Sequence, residues 1–139
     1  PAEVLFEEKY VVVGWAKNPV LKHRSISEED FYRAGHVVVE IGRQSRNSFA
    51  EAHLLQFKRK RQIDMRVSSF LIAPEMVVNT MKLTVMHERL ANMFAKRLDI
   101  AISPMPFEFP VMREMIQYQQ SRQNDDGLRW FIGQLKKSC

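Results

Sequence analysis

An α/β fold is the architecture this 139-residue chain predicts. Two continuous β-branched runs point to it, together with amphipathic helical stretches between the strand candidates and capping or breaking residues at the joins. Strands that are apolar without alternation are buried on both faces, as in parallel or mixed sheets covered by helices. Strands alternating with helices along a chain build layered α/β domains.

The elements follow in order. Tyr10-Val-Val-Val-Gly-Trp15 is the first buried strand. In Ser25-Ile-Ser-Glu28 the Ser25 hydroxyl can accept the backbone N–H three residues on while Glu28 reaches back to the cap. A short helix is therefore expected over 27–34, stopping at Gly35. His36-Val-Val-Val-Glu-Ile41 is the second buried strand, and 42–48 is a polar loop that opens a helix over 49–60. Ile63-Asp-Met-Arg-Val67 alternates as a half-buried strand does. Residues 68–72 are expected to be extended. Pro74 lacks a backbone N–H and suits the first turn of a helix beginning near Ala73.

A strand over 82–86 runs directly into a helix over 87–98, where Leu90, Met93, Phe94 and Leu98 share one face. A strand over 99–103 comes next. Pro104, Pro106 and Pro110 then impose an extended crossing, because the residue before a proline avoids helix. The chain closes with a strand over 111–118 and an amphipathic helix carrying Leu128, Phe131, Ile132 and Leu135. Asp125 and Asp126 sit at the positive N-terminal end of that helix.

Composition removes several classes of function. The 45% hydrophobic and 27% charged residues are ordinary for a globular protein. The single cysteine, Cys139, supports neither a disulfide framework nor a cysteine-rich metal site and fits a reducing cytosol. No apolar run approaches the ~20 residues of a membrane span, and no export signal opens the chain, so a cytoplasmic location without membrane contact is expected. The net charge is +5, much of it in Lys58-Arg59-Lys60-Arg61. That run reads as a solvated helix C-terminus, where cations favour the helix dipole; no aromatic interleaving or recognition helix supports a phosphate-binding role.

Nothing in the chain assembles catalytic chemistry. His23, His36, His53 and His87 form no pair at helical spacing, so no metal ligands are expected. His36, on a buried strand, reads as a hydrogen-bonded core histidine. Cys139 has no base near it in sequence, and phosphate-loop, dinucleotide and nucleophile-elbow patterns are absent. Glu7-Glu8 and Asp125-Asp126 are accounted for by a strand flank and a helix cap. No catalytic residues and no cofactor are predicted.

What remains is binding. Ser45, Asn47 and Ser48, with Arg43 and Arg46, stand just before a helix and suit a carboxylate or phenolate. Ser68 and Ser69 lie beside Phe70 at the end of the next strand, and hydroxyls beside a ring suit a small aromatic ligand with polar substituents. Turn chemistry is the plainer account of both loops.

Several stretches together resemble the inducer-sensing domain of LysR-type transcriptional regulators: Leu5-Phe-Glu-Glu-Lys-Tyr-Val-Val-Val13 with Lys17-Asn-Pro-Val-Leu21, Ser25-Ile-Ser-Glu-Glu-Asp-Phe31, Pro104-Met-Pro-Phe-Glu-Phe-Pro110 and Asp125-Asp-Gly-Leu-Arg-Trp130. Asn79-Thr-Met-Lys-Leu-Thr-Val-Met-His-Glu-Arg-Leu90 is similar to the subgroup of nodulation regulators and aromatic-catabolism regulators. There Thr80-Met81-Lys82 stands where distant members carry Gly-x-Gly.

The resemblance implies a fold like the type II periplasmic binding proteins. One mixed-sheet α/β lobe is complete; the crossover strands and C-terminal helix of a second lobe accompany it. It divides the chain into the end of the first lobe with its crossover strand (1–16), the second lobe (17–110), and the return crossover with the C-terminal helix (111–139). It implies that the early first lobe and a winged helix-turn-helix lie outside this sequence. It also implies a small inducer, aromatic by analogy, at Ser68, Ser69, Phe70, Ser45, Asn47 and Ser48. Homo-oligomers would form through helix 49–60 and strand 63–67, and DNA would be bound only by the absent segment. The alternative function is a transport-type solute-binding protein of the same fold; a small α/β enzyme is a third reading that lacks a catalytic constellation.

Overall fold

The computed structural model describes residues 1–44 and 46–139. In chain order the elements are β1 (Ala2–Glu8), β2 (Tyr10–Trp15), α1 (Glu28–Arg33), β3 (Gly35–Ile41), β4 (Arg46–Asn47), α2 (Phe49–Leu54), β5 (Gln62–Val67), α3 (Ala73–Val77), β6 (Leu83–His87), α4 (Glu88–Phe94), β7 (Ile100–Pro104), β8 (Met112–Gln117) and α5 (Asp126–Ser138). They form two compact units, Lys9–Pro110 and Pro1–Glu8 with Val111–Cys139. Residues 9–16, grouped with the first eight residues by the sequence reading, belong instead to the larger unit. The reason is pairing: β2 is hydrogen-bonded on both edges inside its sheet.

The larger unit is built on one mixed sheet with the order β5-β3-β6-β2-β7, and β4 pairs the far end of β3. β3 runs parallel to β5 and β6, whereas β2 runs antiparallel to β6 and β7. β3, β5, β6 and β7 therefore point the same way, and β2 starts where they end. Val11, Val13, Val37, Val39 and Met86 pack with Ala73 and Val77 of α3 and Ala91 and Phe94 of α4. By pleat alternation Val12 and Val38 face the opposite side, and both are buried too. This two-sided burial is what an apolar run without alternation encodes, and each such valine contributes about 1.5–3 kcal/mol of transfer free energy. Gly14 is required by close approach. A Cβ there would stand 2.6 Å from Leu21 Cδ1 and 2.9 Å from Leu83 Cδ2, both in the core.

Several expected boundaries shift. Ser27, not Ser25, caps α1: its backbone is extended and its hydroxyl accepts the Asp30 N–H at 3.1 Å. The upstream residues are held elsewhere, because the Ile26 N–H donates to the buried Ser103 hydroxyl at 2.9 Å. The helix expected over 49–60 ends as α2 at Leu54. Beyond it Phe57 turns onto Phe107, and Arg59 pairs with Glu29 while lying over the Tyr32 ring. These tertiary contacts outweigh continuation of the helix. The helix expected over 87–98 is likewise shorter, Glu88–Phe94.

In the smaller unit β1 pairs antiparallel with β8. Asp125 caps α5 by accepting the Leu128 N–H at 2.9 Å, and Ile132 supplies the buried face of that helix. Lys136 and Tyr118 both donate to the Glu3 carboxylate, at 2.6 and 2.9 Å, and hold it below the usual carboxylate range. Val4, Met115, Trp130 and Phe131 are exposed on this unit. No helix among the described residues is long and apolar enough to cross a membrane.

Candidate functional site

The strand directions assemble a single edge. Val39 of β3 stands opposite Val67 of β5, so the loop after β3 and residues 68–70 leave the sheet side by side. His87 ends β6 opposite Tyr10, which begins β2. The carboxyl ends of parallel strands are where open α/β sheets gather ligand contacts.

A cluster of rings covers this edge. Tyr10 stacks on Phe49 with ring centroids 5.7 Å apart, tilts against His87 at 4.8 Å and meets Phe109 edge-on at 5.7 Å. The Tyr10 hydroxyl lies 3.1 Å from His87 Nε2. Phe70 meets His87 edge-on at 4.7 Å, and His53 joins Phe49 at 4.3 Å and Phe109 at 6.1 Å. His53 Nδ1–H donates to the Phe49 carbonyl at 2.9 Å.

The predicted binding residues divide around this cluster. Phe70 is in it, half-buried and packed on the core. Ser48 is buried immediately before Phe49, and its hydroxyl accepts the Glu51 N–H at 3.3 Å as the α2 cap. The Ser69 hydroxyl accepts the Leu71 N–H at 3.0 Å. Both hydroxyls thus serve local turns and keep an O–H to donate. Ser68 is exposed at the end of β5, and Asn47 is exposed in β4 opposite Glu40. Ser45 lies outside the described residues. The sequence reading missed Tyr10, Phe49, His53 and Phe109. Tyr10 and Phe49 each open an element, β2 and α2, which was a positional signal; His53 inside α2 and Phe109 in the proline-rich crossing carried none.

A second feature overturns a sequence expectation. Arg61, read as part of a solvated basic run, has a side chain only 6% exposed and pairs with Glu51 at 2.5 Å. Its Nη1 also donates to His36 Nδ1 at 3.4 Å, and His36 Nε2–H donates to the Phe31 carbonyl at 2.8 Å. This network joins α1, β3, α2 and the start of β5. Burial above all pushes His36 down to about 4, with the Arg61 charge adding to it. Among the described residues no group of three or more His, Cys, Asp and Glu side chains could hold a metal ion.

Comparison with known proteins gives a consistent picture. The family model for the LysR substrate binding domain matches residues 1–139. The chain is 34% identical over 131 residues to Nodulation protein D of Azorhizobium caulinodans, covering 94% of this chain and 41% of that protein. It is 32% identical over 130 residues to Nodulation protein D 2 of Rhizobium tropici, with the same coverage of 94% and 41%. The chain therefore spans about two fifths of the length of these curated relatives. The solved regulatory domain of MexT, a transcriptional activator in Pseudomonas aeruginosa, superposes with a TM-score of 0.77 at 17% identity, covering 99% of this chain and 66% of that one. With its whole length matched, residues 1–139, this chain belongs to the LysR substrate-binding domain family.

Proposed function

We propose that this chain is the ligand-sensing part of a cytoplasmic transcription regulator and takes a small aromatic inducer at the carboxyl edge of the Lys9–Pro110 unit. The observation that carries the reading is the ring cluster itself. Phe70, Phe49, His53 and His87 offer edges and faces to an aromatic ligand, and the O–H groups of Ser68, Ser69 and Ser48 can donate to its carboxylate or phenolate. A regulator responds only to a ligand that prefers one of its conformations, so the inducer acts by shifting populations. DNA contact belongs to a segment outside this sequence, and the smaller unit is the late part of a first lobe whose earlier strands would cover Val4, Met115, Trp130 and Phe131.

The test is a thermal-shift screen of this chain with salicylate-like acids, flavonoids and nitroaromatics. A specific upward shift is expected from at least one class. Ser68→Ala should weaken that ligand about fivefold, the share of one ordinary hydrogen bond, without lowering the ligand-free melting temperature. An unchanged dose response would remove Ser68 from the site.

The oligomer proposed here uses α2 with the residues after it, and β5. Among the described residues β5 pairs with β3 alone and its other edge is open, and Leu55, Phe57 and Met65 are exposed beside it. A groove of about 400 Å³ runs between them, lined by Leu54, Leu55, Phe57, Ile63 and Arg66 among others. Exposed apolar groups beside an unpaired strand edge are the usual ingredients of a subunit contact. Light scattering is expected to give twice the chain mass; a strictly monomeric mass at high concentration would refute this interface.

A further inference from the structure

The chain passes between its compact units twice, at Glu8–Lys9 and at Pro110–Val111. Just inside both points, the larger unit fastens the chain with the rings of the candidate site. The Glu88 N–H, at the start of α4, donates to the Lys9 carbonyl at 2.9 Å. Tyr10, the next residue, is buried against His87, Phe49 and Phe109. Phe109, beside the other crossing, is held by Tyr10 and His53. Phe70 touches His87, and His87 touches Tyr10.

We propose that Tyr10 and His87 are positioning residues that carry a change at Phe70 to both crossings. The purpose of this relay rests on the ligand-sensing reading above. Its physical basis does not. Packed interiors transmit displacement because they contain few voids. Aromatic pairs favour particular offsets and edge-on angles, so a ring that moves obliges its neighbour to re-seat. The Tyr10–His87 hydrogen bond, 3.1 Å long, is the contact whose making and breaking would give the relay its two arrangements. A ligand seated at Phe70 acts on His87 first, then on Tyr10 and the Lys9 carbonyl bond, and through Phe109 on the return crossing.

Amide hydrogen exchange on the 139-residue chain, without any ligand, tests this. Phe70→Leu is expected to speed exchange of the Glu88 amide about fivefold and to shift the NMR resonances of the Phe109 ring, with the Val37–Val39 amides of β3 unchanged. Tyr10→Phe keeps the ring and removes only the hydroxyl. In that background Phe70→Leu should leave the Phe109 ring resonances unmoved. If the leucine variant unfolds, Phe70→Met, closer in volume, replaces it. A Phe109 ring shift of equal size in both backgrounds, acceleration spread through β3, or no change at Glu88 would each overturn the relay. A failed ligand screen bears on the proposed function alone, and failed coupling bears on the relay alone.

Discussion

Replacing Glu51 with alanine is expected to destabilise the Lys9–Pro110 unit by about 3–5 kcal/mol, the usual consequence of stranding one member of a buried ion pair. The Arg61 guanidinium would lose its carboxylate at a place where its side chain is almost wholly out of water. Its remaining bond to His36 Nδ1, 3.4 Å long, cannot compensate a charge. Replacing both partners, as Glu51→Leu with Arg61→Met, is expected to recover most of the loss, because the desolvation of both charges disappears with them. Urea denaturation midpoints of the single and double variants measure this directly. A loss below about 1 kcal/mol for the single variant would mean that the pair behaves as a solvated surface contact.

Stability should also fall by about 3 kcal/mol between pH 6.5 and pH 4 through His36 alone. In the unfolded chain the imidazole takes up its proton near 6.5, whereas the folded chain resists protonation down to about 4. Across that window the unfolded state binds more protons, so stability rises with pH; the contribution is fully present above 6.5 and lost as pH falls through 4. The cause is geometric. His36 is fully buried, its Nε2–H is committed to the Phe31 carbonyl, and its other nitrogen faces a guanidinium. A proton on Nδ1 would therefore meet Arg61 head-on. His36→Gln can still donate to Phe31 and has no charge to acquire. The difference in melting temperature between pH 7 and pH 4.5 should therefore be smaller in the variant than in the parent chain, and equal differences would count against His36.

The sequence revealed β2 and β3 because their code is local. Tyr10–Trp15 was bounded correctly from residue type alone, and the Pro74 helix start fell where the missing N–H requires it. Caps and helix ends were less legible. Ser25 and Ser27 carry the same hydroxyl two residues apart, and what separates them is a bond from Ile26 to Ser103 on β7, 77 residues away. The end of α2 was set by Phe107 and Glu29, neither of which is near it in the chain. Of the candidate site, the Ser68–Phe70 and Asn47–Ser48 loops were visible as polar groups beside a ring. The ring cluster of Tyr10, Phe49, His53, Phe70, His87 and Phe109 was not.

By itself the sequence determined the class of the fold, the two-sided burial of its central strands and the absence of any catalytic or metal-binding spacing pattern. These follow from the order and periodicity of residue types, which act over a few neighbours. Only the tertiary structure decided that Tyr10, Phe49, His53, Phe70, His87 and Phe109 share one edge, and that Arg61 is a buried partner of Glu51 rather than a surface cation. Ring contacts and ion pairs depend on strand direction and register, and those are fixed by pairing between segments far apart in the chain.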